Sequence, residues 1–210
     1  MALVHRIRRA GLALSLALGF ALATTPAAAQ LYSDGFKFLQ AVEKKDRNTV
    51  VELFNKNQTI IDSRNLSTGR TALHIAVERR DLPWIDYLLG LNANPNIADK
   101  KGVTPLMLAA QMGYIEGVQL LAQKGAEVDV ASSTGETPLM SAVHRRDIGL
   151  LRALLAAGAD PDRTDNSGRS ARQYAALDGP SNAVLAEIDR RDKDGDNTAK
   201  KPAKVYGPSF

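Results

Sequence analysis

The 210-residue chain contains no cysteine. That excludes a disulfide framework, thiolate metal sites and a lipid-anchoring cysteine together. Histidine is scarce, limited to His5, His74 and His144, and neither of the later two lies in a local pattern that sets a base beside a nucleophile. No Gly-rich phosphate loop or metal-ligand spacing occurs, so neither an enzyme nor a cofactor or metal site is expected. Bulk charge is also missing. The formal net charge of +4 includes Arg6, Arg8 and Arg9, and without them 24 basic residues face 23 acidic ones. A nucleic-acid footprint spread over the chain is therefore not expected. Apart from Ala10 to about Ala23, no long apolar run is present, and that run is shorter than the roughly 20 residues a membrane helix needs.

The first 29 residues have the order of a secretory signal: a basic start, that apolar run, and the small-residue zone Thr24-Thr-Pro-Ala-Ala-Ala29. Cleavage is expected after Ala29, giving a chain exported to the periplasm with no stable membrane insertion. Arg8-Arg9 alone is a weak twin-arginine signal, so general secretion is the expected route.

The remainder is periodic. Gly102-Val-Thr-Pro-Leu-Met-Leu-Ala-Ala110 returns upstream as Gly69-Arg-Thr-Ala-Leu-His-Ile-Ala-Val77. Downstream it returns as Gly135-Glu-Thr-Pro-Leu-Met-Ser-Ala-Val143 and Gly168-Arg-Ser-Ala-Arg-Gln-Tyr-Ala-Ala176. The hydroxyl residues Thr71, Thr104, Thr137 and Ser170 are spaced by 33 residues each time. Each sits where a helix N-cap belongs, and Pro105 and Pro138 follow at the first helical position. Leu73, Leu106 and Leu139 point inward, and Ala76-Val77, Ala109-Ala110 and Ala142-Val143 allow close helix approach. A second helix carries Ile85, Leu88 and Leu89, then Val118, Leu120 and Leu121, then Leu151, Leu154 and Leu155. It ends at Asn92, Gly125 or Gly158, each able to take the left-handed conformation. Such a unit cannot bury its apolar side alone and must stack.

Thr104-Pro-Leu-Met, Thr137-Pro-Leu-Met and Thr71-Ala-Leu-His, with Gly125-Ala-Glu-Val-Asp129 and Gly158-Ala-Asp-Pro-Asp162, resemble the ankyrin repeat. The resemblance implies an all-α repeat solenoid of about five copies, each a helix-turn-helix with a β-turn finger. The expected layout is a repeat domain over 30–190. It divides into an N-terminal cap at 31–65, repeats at 66–98, 99–131 and 132–163, and a C-terminal cap at 164–190, where Arg172 and Gln173 occupy apolar or buried columns. A longer loop is expected around Asn57 to Asn65. Residues 191–210 read as a disordered charged tail. Asp192, Asp194 and Asp196 do not make a calcium loop, because Asn197 and Ala203 stand where Gly and Glu are required.

The resemblance also implies a concave side made of first helices and finger tips that carries protein contacts, and a monomer is expected. Exported bacterial ankyrin proteins resembling this chain suggest restraint of a hydrolase or support of stress defence. Positions that vary while the framework is held are the candidates for binding a protein in the cell envelope: Arg70, Lys100, Lys101, Val103 and Glu136 on the fingers, and Arg79, Met112, Tyr114, His144 and Arg145 at first-helix ends. Aligned copies of Glu43-Lys-Lys-Asp46, Glu78-Arg-Arg-Asp81 and His144-Arg-Arg-Asp147 would form a basic row interrupted by Met112 and Tyr114. That row could bind an anionic polymer or anchor a protein interface. Alternatively, its cations could neutralise helix C-termini while each Asp caps the next helix. His74 reads as a structural side chain bonded around its own turn beside Thr71.

Overall fold

Four helices begin just after the hydroxyl residues foreseen as their caps, because the backbone N–H groups of the opening turn need an acceptor. Thr104 Oγ1 accepts from Met107 N–H, Thr137 Oγ1 from Met140 N–H and Ser170 Oγ from Gln173 N–H, each at 3.3 Å. The computed structural model describes residues 27–177, 179 and 182–195. The expected signal segment up to residue 26 and the tail from 196 lie outside these residues.

Ten α-helices occur among the described residues: α1 (Ala27–Lys44), α2 (Arg47–Lys56), α3 (Ala72–Glu78), α4 (Leu82–Gly90), α5 (Pro105–Gln111), α6 (Ile115–Gln123), α7 (Pro138–His144), α8 (Ile148–Ala156), α9 (Ala171–Ala176) and α10 (Ala183–Gly195). They pair in sequence order as five helical hairpins. First helices pack as α1 on α3, α3 on α5, α5 on α7 and α7 on α9. Second helices pack as α4 on α6, α6 on α8 and α8 on α10. The result is an all-α solenoid two helices deep.

The apolar register explains the stack. Leu73, Leu106 and Leu139 are at most 1% exposed, and each such side chain contributes about 1.5–3 kcal/mol relative to exposure. Ala109 and Ala110 are fully buried between neighbouring first helices. Second helices start at acidic caps: Asp46, Asp81 and Asp147 accept from Thr49, Trp84 and Leu150 N–H. They end at Asn92, Gly125 and Gly158, with φ of 63°, 91° and 96°.

A second left-handed column was not foreseen. It follows each first helix at Lys45, Arg80, Gly113, Arg146 and Gly179, with φ between 52° and 62° for the first four and 95° for the last. Three of the five are lysine or arginine, so the sequence gives little notice of it. The expected long loop after α2 is instead a short 3₁₀ helix, Gln58–Asp62, with Ile60 and Ile61 buried. Part of the extra length widens the next finger, in which Gly69 N–H closes on Asn65 O while Gly102 N–H closes on Asp99 O. At the other end α10 runs to Gly195, past residue 190 where the array was expected to stop. Its docking is ionic as well as apolar. Arg152 Nη2 holds Glu187 Oε2 at 2.9 Å, and Arg172 Nη1 holds Asp189 Oδ1 at 2.8 Å.

On the second-helix loops, side-chain bonds of one kind link the first four repeats in succession. Asp62, Asn96 and Asp129 accept from the backbone N–H of Asn94, Glu127 and Asp160 at 2.9–3.0 Å. Burial raises the pKa of Asp129, against the opposing bond from Asp160 N–H. Asn94 and Asp160 each close a local turn, on Asn96 and Asp162 N–H respectively.

Candidate functional site

The fingers are tight turns that end on a left-handed glycine: Gly69, Gly102, Gly135 and Gly168, with φ of 76–82°. Two pairs of neighbouring fingers are tied by backbone, with Lys100 N–H donating to Thr68 O at 2.9 Å and Asn166 N–H to Thr134 O at 3.3 Å, while the third and fourth approach closely at Gly102 and Ser133. There is no room for a side chain between them. A Cβ on Gly135 would come within 2.5 Å of Asn166 N, and one on Gly69 within 2.8 Å of Lys100 N. The finger tips thus form one continuous edge whose side chains are free to differ.

On that edge, Lys100 and Lys101 are exposed at the third tip. Arg70 stands behind them, bound through Nη1 to both Glu78 oxygens at 2.9 Å and with Nε 3.7 Å from Asp99 Oδ2. Val103 is half-buried against the core, and its carbonyl receives the His74 Nε2 proton at 2.9 Å. His74 is fully buried, and Thr71 N–H donates to its Nδ1 at 3.1 Å. This assigns the neutral tautomer with the proton on Nε2, in keeping with the downward pKa shift that burial causes. The structural reading of His74 is therefore correct, and the ring also fastens one repeat to the next.

The basic row is a set of inter-repeat caps. Arg79 Nη1 donates to the carbonyls of Val42 and Glu43 at the end of α1. Arg145 Nη1 donates to Gln111 O at 3.1 Å, and Arg80 Nη2 donates to Met112 O. Carbonyls at helix C-termini lack intrahelical partners and carry partial negative charge, which attracts these cations.

Met112 and Tyr114 do not form the exposed centre expected of them. Met112 is half-buried against the core and Tyr114 is 6% exposed. The Tyr114 ring folds onto Gly117, where a Cβ would approach to 2.4 Å, and its hydroxyl donates to Arg80 O at 3.3 Å. Tyr114 is thus an internal strut between repeats, with the Arg80 guanidinium 5.6 Å from its ring centre. The signal for this was Gly117, three residues on, which clears space for the ring.

Toward the C-terminal end, Glu136 and His144 come together, with Oε1 and Nδ1 3.6 Å apart. His144 also meets Tyr174 edge-to-face at 4.7 Å, and the Tyr174 hydroxyl donates to Asp165 Oδ2 at 2.6 Å. That bond, then the Ser167 hydroxyl and the Arg169 N–H, hold the Asp165 carboxyl well below the usual carboxylate range. Tyr174 was missed in the sequence because its repeat departs most from the pattern. On the second-helix side, a groove of about 400 Å³ between α6 and α8 is lined by Gln119, Ala122, Gln123, Ala153, Ala156 and Ala157. None of these is an acid, base or nucleophile. No helix among the described residues is long and apolar enough to cross a membrane.

Comparison with known proteins agrees with this architecture. Residues 38–132 match the family model described as ankyrin repeats (3 copies), and residues 121–175 match the one described as ankyrin repeats (many copies). The chain is 38% identical over 73 residues to an ankyrin repeat protein of Fowlpox virus, covering 35% of this chain and 21% of the viral one. It is 35% identical over 81 residues to an ankyrin repeat protein of Acanthamoeba polyphaga mimivirus, covering 39% and 11%. A BTB/POZ domain and ankyrin repeat-containing protein of Oryza sativa subsp. japonica is 38% identical over 66 residues, covering 31% and 13%. The chain therefore spans about a fifth or less of the length of these relatives, which are viral and plant proteins. Two matched models over the stacked helical hairpins place the chain in the ankyrin-repeat family, in general a non-catalytic protein-protein interaction module.

Proposed function

We propose that this chain is an exported, non-catalytic binding protein that engages a protein partner in the cell envelope through its fingers and first-helix ends. The observation that carries this reading is the finger edge, closed by Gly69, Gly102, Gly135 and Gly168, with backbone bonds tying the second finger to the third and the fourth to the fifth. A surface already held in one arrangement loses little entropy on binding. Its variable side chains, with those of the adjoining first-helix ends, supply the recognition: Arg70, Lys100, Lys101, Glu136 and His144. Export to the periplasm rests on the order of charge, apolar run and small residues in the first 29 positions. Among envelope partners, a hydrolase under restraint or a component of stress defence suits a stoichiometric binder. Capture of an anionic polymer by the basic row is less favoured, because Arg79, Arg80 and Arg145 are already bonded to helix-end carbonyls.

The test is crosslinking of the tagged chain in the exported compartment followed by mass spectrometry, run beside Glu136→Lys with His144→Glu. One dominant protein adduct that the double variant loses supports the reading. Adducts indifferent to the variant exclude this face, and recovery of an uncleaved chain inside the cytoplasm excludes export.

A further inference from the structure

Charge on the finger edge is uneven, and the imbalance is local. Residues 27–195 hold 21 basic and 22 acidic side chains, so no general excess of cations explains what gathers on the second and third fingers. Arg64 Nη2 donates to Ala98 O at 2.7 Å and its Nε to Gly69 O at 3.2 Å, with no carboxylate partner. The same small volume holds Lys100. A Cβ placed on Gly69 would lie 3.0 Å from Lys100 Cγ and 3.1 Å from Arg64 Nη2. Lys101 follows on the same tip. Neither lysine side chain has an ion pair or hydrogen bond among the described residues.

The nearby acids are already engaged. Asp99 is 8% exposed; its Oδ1 accepts from Lys101 N–H at 2.8 Å and Val103 N–H at 3.0 Å, and its Oδ2 faces Arg70. Glu78 is held by both of its oxygens on Arg70. The fourth finger, by contrast, has Ser132, Ser133 and Thr134 at its tip. Beside the cations, Leu66 is 60% exposed on the widened second finger.

We infer that the second and third fingers are a receptor for an acidic segment of the partner protein, with Lys100 and Lys101 facing its carboxylates, Arg64 adding positive charge from its carbonyl-bonded place behind them, and Leu66 an apolar residue among them. This rests on the protein-binding reading above and specifies the chemistry of the partner. A nucleic acid fits less well. Stretches 64–70 and 99–103 contain no aromatic residue on which a base could stack, and the cations are confined to two tips.

Three fluorescein-labelled probes of equal length distinguish the outcomes when titrated against the full chain. One is an Asp/Glu peptide with a central Leu, one is its Asn/Gln counterpart, and one is oligothymidylate. The acidic peptide is expected to bind, with affinity falling as salt rises, and the neutral peptide to fail. Lys100→Ser with Lys101→Ser, residues the fourth finger already tolerates, should weaken the acidic probe roughly five- to tenfold without changing the melting curve. Lys100→Arg with Lys101→Arg should retain binding. No binding of the acidic peptide, binding indifferent to the serine pair, or equal binding of the neutral peptide would overturn the inference. Oligothymidylate binding as tightly with the same dependence on both lysines would reassign the tips to nucleic acid. A partner crosslinked through Glu136 and His144 while the lysines prove irrelevant would remove this inference and leave the binding function standing.

Discussion

The His74 ring bridges two repeats: Nδ1 accepts from Thr71 N–H at 3.1 Å, and Nε2–H donates to Val103 O at 2.9 Å. Methionine fills the same column in the next two repeats, at Met107 and Met140; Met140 Sδ accepts from Thr137 N–H at 3.5 Å, but a methionine has no donor for the carbonyl of the next finger. His74→Met should cost about 1–3 kcal/mol, because it leaves the Val103 carbonyl without its donor and gives the Thr71 N–H only a weak sulfur acceptor. Urea unfolding of the two chains at pH 7.5 measures it.

The same residue gives a pH dependence. Burial lowers the His74 pKa below its ordinary 6.5, so the unfolded chain binds the proton more readily than the folded one. Stability from this source is complete above about pH 6.5 and falls as the pH drops from there toward the folded value. Unfolding midpoints at pH 7.5 and 5.5 should differ more for the natural chain than for His74→Met. Equal differences would mean that the ring is not held neutral by its site.

A lower pH range belongs to Asp165. Its folded pKa is depressed from 3.8, first by the Tyr174 hydroxyl. The stability it contributes is therefore present above about pH 3.8 and is lost as pH falls further. Tyr174→Phe should move the Asp165 carboxyl titration upward, followed by carbon-detected NMR. An unmoved titration would show that the phenol does not bond there.

Gly113 occupies the left-handed column shared by Lys45, Arg80 and Arg146, and a Cβ there would meet Arg145 Nη2 at 2.8 Å. Gly125 is also left-handed but has nothing within 4 Å. Both alanine substitutions carry the backbone cost of about 1 kcal/mol, and Gly113→Ala should exceed Gly125→Ala because the Arg145 guanidinium must also give way. Thermal melts of the pair decide it.

These contrasts show how much the sequence discloses. Glycine or asparagine at positions 92, 125 and 158 announces the ends of the second helices, because few other residues accept that backbone. Lys45, Arg80 and Arg146 adopt a similar conformation without announcing it, held there by neighbouring repeats. The role of Arg79 and Arg145 was legible only as two alternatives, since a cation near a helix end looks the same whether it caps or recognises. Tyr114 was misread because an aromatic in a variable column suggests an interface, whereas Gly117 makes a hollow that draws it inside. The cluster of Arg64 with Lys100 joins residues from different fingers, and no local pattern could bring them together.

The central claim is that the finger side, and not the second-helix side, meets a protein partner. A photocrosslinking residue placed in turn at Lys101, His144 and Gln123 within the cell tests it directly. The account predicts one shared protein adduct from the first two positions and none from Gln123, which lies on the α6–α8 groove. An adduct from Gln123 alone, or equal adducts from all three, would contradict it.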